Sequence, residues 1–128
     1  MSYYLAATAA ELGIGLESST IDPGSPASAY LALDGELARF PGRELALLWD
    51  ERYGWAATVE THSGEDLIVL TYLGGDLLPA PAAVARFVAA VRAGDHSVGR
   101  PDLPPAPTPE ALADLSTRLY AYSFGLPA

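Results

Sequence analysis

The stretch richest in reactive side chains is Glu60-Thr61-His62-Ser63-Gly64-Glu65-Asp66. A histidine among carboxylates can serve as a general base with an acid to orient it, and the adjacent serine can be read as a nucleophile. Glu60 and His62 share one side of an extended chain, so with one more ligand they would suit a metal ion. Adjacency argues against these readings. Neighbouring residues on a strand and turn point to opposite faces and do not converge on one substrate. The second histidine, His96, lies in another segment that nothing in the sequence brings close. Turn chemistry accounts for the cluster, with Ser63 and Asp66 holding the backbone of a solvated hairpin turn. No catalytic residue, cofactor or metal ligand is therefore assigned, and His62, Glu60 and Asp66 stand only as an alternative acid–base set.

Two other groups invite a function. Gly74-Gly75-Asp76 precedes a helical pattern as a phosphate loop would, but it lacks the glycine spacing and the lysine of such loops. A strand-to-helix turn with Asp76 near the helix start explains it. Trp49, Trp55, Tyr72, Tyr53 and Phe40 could line an aromatic pocket, yet alternation puts Trp49, Trp55 and Tyr72 together where a core belongs. Tyr53 differs. It sits on a hairpin tip beside Arg52, where an exposed aromatic reads as a contact residue.

The elements that must position these groups follow from pattern. Between Leu45 and Gly75 two polar turns, Asp50-Glu51-Arg52-Tyr53-Gly54 and His62-Ser63-Gly64-Glu65, cut an apolar run into three strands. The first loop sets Trp49 opposite Trp55, Leu47 opposite Ala57 and Leu45 opposite Val59. The second sets Val59 opposite Ile68, Ala57 opposite Leu70 and Trp55 opposite Tyr72. The large side chains then share one face. The other face carries Ala46, Leu48, Asp50, Thr58, Glu60, His62, Leu67, Val69 and Thr71, a mixed surface that a tail or a second subunit would cover.

Before the meander, Ser2 is placed to cap a helix with Leu5, Ala9 and Leu12 on one stripe and Gly13 as its stop. Strands follow around Leu16 to Ile21 and Ala27 to Leu33. After it, Val84, Phe87, Val88 and Val91 mark a helix ended by Gly94. Residues 95–107 are a proline-rich linker. Thr108-Pro109-Glu110 starts a last helix over 108–125, with Leu112, Leu115, Leu119 and Tyr122 as a stripe. The terminal Tyr120, Tyr122 and Phe124 are too apolar for a free helix and should dock. The expectation is an α+β core over 1–94, with an antiparallel sheet of about five strands covered by helices on one face. The element order is α-β-β-β-β-β-α-linker-α.

Composition bounds the function. The 128 residues suffice for one core without staples, and the absence of cysteine removes disulfides, thiolate metal sites and a cysteine nucleophile. The formal charge is −9 and all seven basic residues are arginine. Such a chain repels phosphate backbones, so nucleic acid is excluded as a partner. The lack of lysine with abundant alanine, glycine and proline points to a high-GC genome. The first residues have no basic segment and include Glu11, unlike a secretory signal, and no apolar stretch has membrane-spanning length. A soluble cytoplasmic protein is expected.

With AYLALDG, LALLWDE, GWA, VETHSGEDLIVL and YLGGD laid out, the chain resembles a family of small actinobacterial domains known only as a domain of unknown function. The resemblance runs from about Tyr3 to Arg92 and leaves out the linker and the last helix. It implies an intracellular bacterial protein and carries no activity or site residues. The functional expectation is a non-enzymatic interaction module, accessory or regulatory, that self-associates as a homodimer or binds a protein partner. Arg52, Tyr53, Leu48 and Val69 are its expected contacts. If the last helix reaches across to a neighbour, deleting 101–128 should change the oligomer size. The alternative is a small-molecule binder or minor enzyme, with a pocket between sheet and helices using His62 and the nearby carboxylates.

Overall fold

A computed structural model describes residues 1–61, 66–95 and 97–124. The elements are α1 (Ser2–Leu12), β1 (Ser19–Asp22), β2 (Ser28–Ala32), β3 (Leu45–Asp50), β4 (Gly54–Glu60), β5 (Leu67–Tyr72), α2 (Pro81–Ala93) and α3 (Pro109–Tyr122). The strands form one antiparallel sheet in chain order, β1-β2-β3-β4-β5. The three helices gather on one face of it, which is the α+β arrangement the pattern predicts.

The first hairpin has the expected register, with Trp49 opposite Trp55, Leu47 opposite Ala57 and Leu45 opposite Val59. Its turn is held locally: the Asp50 carboxylate accepts from the Arg52 backbone N–H at 2.7 Å, and Gly54 takes a φ of 73° that a side chain would resist. The second hairpin keeps Val59 opposite Ile68, but the register slips between Ala57 and Thr58. Leu70 is the extra residue of a β-bulge, so Ala57 faces Thr71 and Ala56 faces Tyr72. Beyond the bulge the side chains exchange faces. Tyr72 therefore lies on the outer face, and Leu73, whose N–H bonds Trp55 O at 3.0 Å, packs on the core instead.

The core sits between the inner sheet face and the helices. Leu31, Leu45, Leu47, Trp49, Trp55 and Val59 meet Tyr4, Leu5 and Ala9 of α1 and Val84, Phe87 and Val88 of α2, all of them buried. Both indoles find partners despite burial. Trp49 Nε1 donates to Leu77 O at 2.8 Å, and Trp55 Nε1 donates to the Tyr4 hydroxyl at 3.0 Å, which donates on to Pro79 O at 2.6 Å. One polar chain thus ties α1 and the β5–α2 connection to the sheet. The start of α1 differs from expectation: Met1 occupies the cap position, Ser2 is already helical, and no side chain caps the helix.

The proline-rich segment is anchored rather than free along its length. Arg100 exchanges two backbone hydrogen bonds with Tyr72, each 2.8 Å, and Thr71 Oγ1 donates to Arg100 O at 3.2 Å. This covers part of the β5 edge, which would otherwise offer open backbone groups to another strand. Gly99 makes the close approach possible, because a Cβ there would collide with Thr71 Oγ1 and stand 3.2 Å from Phe87 Cε1. Gly99→Ala is expected to destabilise the fold by about 1–3 kcal/mol, read from the chemical denaturation midpoint.

The last helix then packs on its own chain. Thr108 Oγ1 accepts from Ala111 N at 3.1 Å as the N-cap, and Pro109 takes the first turn. Leu115 is buried in the core, Leu119 packs against it, and Tyr122 meets the Tyr4 ring edge-on at 5.0 Å. Arg118 clamps Asp76 with bonds of 2.7 and 2.9 Å and reaches Leu78 O at 2.7 Å. Tyr120 and Phe124 instead stay exposed and meet edge-to-face at 5.1 Å. Hydrogen bonds from Arg118 hold the Asp76 carboxyl below the usual carboxylate range, against a smaller opposing effect of desolvation. A depressed pKa stabilises above the unfolded value, near ~4, and that support is lost as pH falls through the folded one. Docking of α3 should therefore weaken slightly in acid, seen as a small shift of the Tyr122 ring resonances by NMR with the helix still docked. In Asp76→Asn this acid component should vanish.

Candidate functional site

Alternation sends one set of strand side chains away from the helices, and the register aligns them into rows. Thr20, Tyr30, Leu48, Ala56 and Tyr72 form one row across the five strands. Ala32, Ala46, Thr58 and Val69 form the next. Charge is confined to the two ends, with Asp22 and Asp50 at one and Glu60 at the other, where Glu60 N bonds Glu44 O. The centre is built of small residues. Ala46, Ala56 and Thr58 are buried although they belong to the outer face, and Thr58 Oγ1 donates to Ala46 O at 3.1 Å. Val69 is 38% exposed, and Leu48 and Tyr30 are half-buried. Tyr30 feels this environment: desolvation first, then Glu44 and Glu60, raise its hydroxyl above the ordinary tyrosine value.

The expected tip contacts, Arg52 and Tyr53, lie at one end of this face. Arg52 grips Asp50 through Nε at 3.0 Å and Nη2 at 2.9 Å, and its guanidinium stacks 4.8 Å from the Tyr53 ring centre. Burial pushes the Asp50 carboxyl up, but hydrogen bonds from the Arg52 side chain and backbone outweigh it and hold the group low. The tip is thus a preformed Arg52–Asp50 ion pair with its aromatic half-buried.

Of the alternative acid–base set, Glu60 and Asp66 lie among the described residues. His62 lies outside the described residues, as do Ser63, Gly64 and Glu65. Glu60 ends β4 opposite Leu67, and Asp66 is exposed at the strand start, where its backbone carbonyl accepts from Thr61 N at 3.0 Å. A cavity of about 210 Å³ does lie between β5 and α2, lined by Phe40, Leu70, Phe87 and Val91, and neither carboxylate reaches it. Among the described residues no group of three histidine, cysteine or acidic side chains is placed to hold a metal ion. None of the described helices is long and apolar enough to cross a membrane. What the described residues offer is a sheet face, a hairpin tip and cavities.

The model of a family of unknown function (DUF6292) matches residues 4–90, from α1 into α2. No curated protein and no solved structure matches the chain.

Proposed function

The chain belongs to this family of unknown function, and on that premise we propose that it is a non-enzymatic interaction module that self-associates. In this reading it is a cytoplasmic accessory or regulatory protein, and its occupant is a second copy of itself. One observation carries the reading: all three helices lie on one sheet face, and the other presents two uncharged rows, with Leu48 and Val69 partly in solvent and charge only at the ends. Sheets pack face to face about 10 Å apart, and the small Ala46, Ala56 and Thr58 at the centre permit that approach. A two-fold axis lying across the strands would set the Arg52 tip of one copy near Glu44 and Glu60 of the other. That orientation keeps the Asp22 and Asp50 ends of the two copies apart.

Sedimentation equilibrium tests this with the double variant Leu48→Asp and Val69→Asp. Both side chains stand partly in solvent, so the monomer should keep its fold, checked by circular dichroism. The dimer should weaken by about a hundredfold or more, because carboxylates would be buried without partners. A monomeric wild type, or an unchanged dimer in the variant, overturns the proposal.

A further inference from the structure

Next to the β3–β4 tip, the segment beyond the family match closes a groove of about 460 Å³, a size in the range of small-molecule sites. Its walls are apolar: Leu77 and Leu115 on one side, Pro104, Pro105 and Pro107 on the other, with Tyr53 beside them. Four charged residues also line it. Arg118 is clamped on Asp76 and stands 3.7 Å from Asp114, so both carboxylates already face the same cation. Arg100 is different. Its backbone is pinned to Tyr72, and its side chain lies across Gly74, where a Cβ would come within 2.7 Å of Nε and 3.1 Å of Cζ. No carboxylate among the described residues pairs with its guanidinium.

We infer that this groove binds a small organic monocarboxylate with an apolar, aromatic-sized body, its carboxylate held by Arg100. The exposed Arg100 guanidinium, without a carboxylate partner among the described residues, matches the planar geometry of a carboxylate. The two arginines and two aspartates lining the groove sum to zero, so an anion of the lowest charge is favoured. A phosphate dianion would meet about twice the repulsion from Asp76 and Asp114 that a monocarboxylate meets. The prolines and leucines accept a flat apolar body and offer few hydrogen bonds, so the body of the ligand need carry no polar groups. The groove shares Tyr53 with the hairpin tip but not Leu48 or Val69, so this binding and the proposed self-association can fail separately.

Calorimetric titration with 2-naphthoate, against 2-naphthamide as its uncharged counterpart, tests the assignment on the full chain. Saturable one-to-one binding of the acid is expected, with the amide at least about tenfold weaker. Arg100→Gln keeps the backbone pairing and should weaken the acid about tenfold while leaving the amide unchanged. Ala111→Phe, which fills the groove from α3, should abolish binding of both and decides the matter if the first variant does not fold. No saturation up to about 10 mM, equal affinity for acid and amide, or full binding in Ala111→Phe would each overturn the inference.

Discussion

Tyr4→Phe removes a single oxygen and is expected to lower the unfolding free energy by about 2–4 kcal/mol. The hydroxyl is fully buried, accepts from Trp55 Nε1 at 3.0 Å and donates to Pro79 O at 2.6 Å. Its loss leaves an indole N–H and a carbonyl unpaired inside the core, and each orphaned group costs about 1–3 kcal/mol. The ring itself stays, so the edge contact with Tyr122 and the volume of the core are preserved. Guanidinium denaturation should show a lower midpoint with an unchanged slope. A shift below about 0.5 kcal/mol would mean that the chain from Trp55 to Pro79 does not hold the fold together. The same hydroxyl gives a pH signature. Burial raises its pKa far above the tyrosine range, so its support is intact below the unfolded value near ~10 and is lost as pH rises beyond it. Alkaline destabilisation should be smaller in Tyr4→Phe than in the wild type.

Deleting residues 101–128 is expected to cost a similar amount, about 2–4 kcal/mol, while leaving self-association in place. The loss comes from uncovering the surfaces that Leu115, Leu119 and Tyr122 bury on the core. The exposed ion pair between Arg118 and Asp76 adds little. Because α3 packs on its own chain, on the helical side of the sheet, the outer face remains free to pair. Differential scanning calorimetry reads the first effect and sedimentation the second. A truncated chain that keeps its stability but changes oligomer size would show α3 acting between subunits.

Much of the scaffold was legible in residue pattern because local rules dominate it. The two-tryptophan register follows from a five-residue turn held by Asp50 and closed by Gly54, all of it encoded nearby. Gly13 and Gly94 stop their helices in left-handed conformations, as their positions after the apolar stripes suggest. The β-bulge escaped because nothing in Leu67 to Tyr72 marks it: no glycine or proline interrupts the strand. Its cost to the reading was the face of Tyr72. Tyr4 also escaped, since a helix stripe through Leu5 and Ala9 gives no sign of a hydroxyl that meets residues of β4 and the β5–α2 connection.

The candidate surfaces divide in the same way. Leu48 and Val69 share the outer face by simple alternation, so that part needed no tertiary knowledge. Reading Arg52 and Tyr53 as tip residues was equally local, but the bidentate grip of Arg52 on Asp50 depends on the turn's conformation. Arg100 left no signal. A run of prolines says that a segment is extended, and only the fold shows that it returns to Tyr72 and lays its guanidinium over Gly74.

The claim that the uncovered sheet face joins two copies is tested most directly by site-specific cross-linking. The chain has no cysteine, so single cysteines can be introduced without background. Leu48→Cys and Val69→Cys place a thiol on the outer face, and Tyr120→Cys places one on the exposed side of α3. A bismaleimide spanning about 10 Å, the spacing of packed sheets, should capture covalent dimers from the first two and leave Tyr120→Cys monomeric. Dimers formed through Tyr120→Cys, with none through Leu48→Cys or Val69→Cys, would contradict the account and place the contact on the helices.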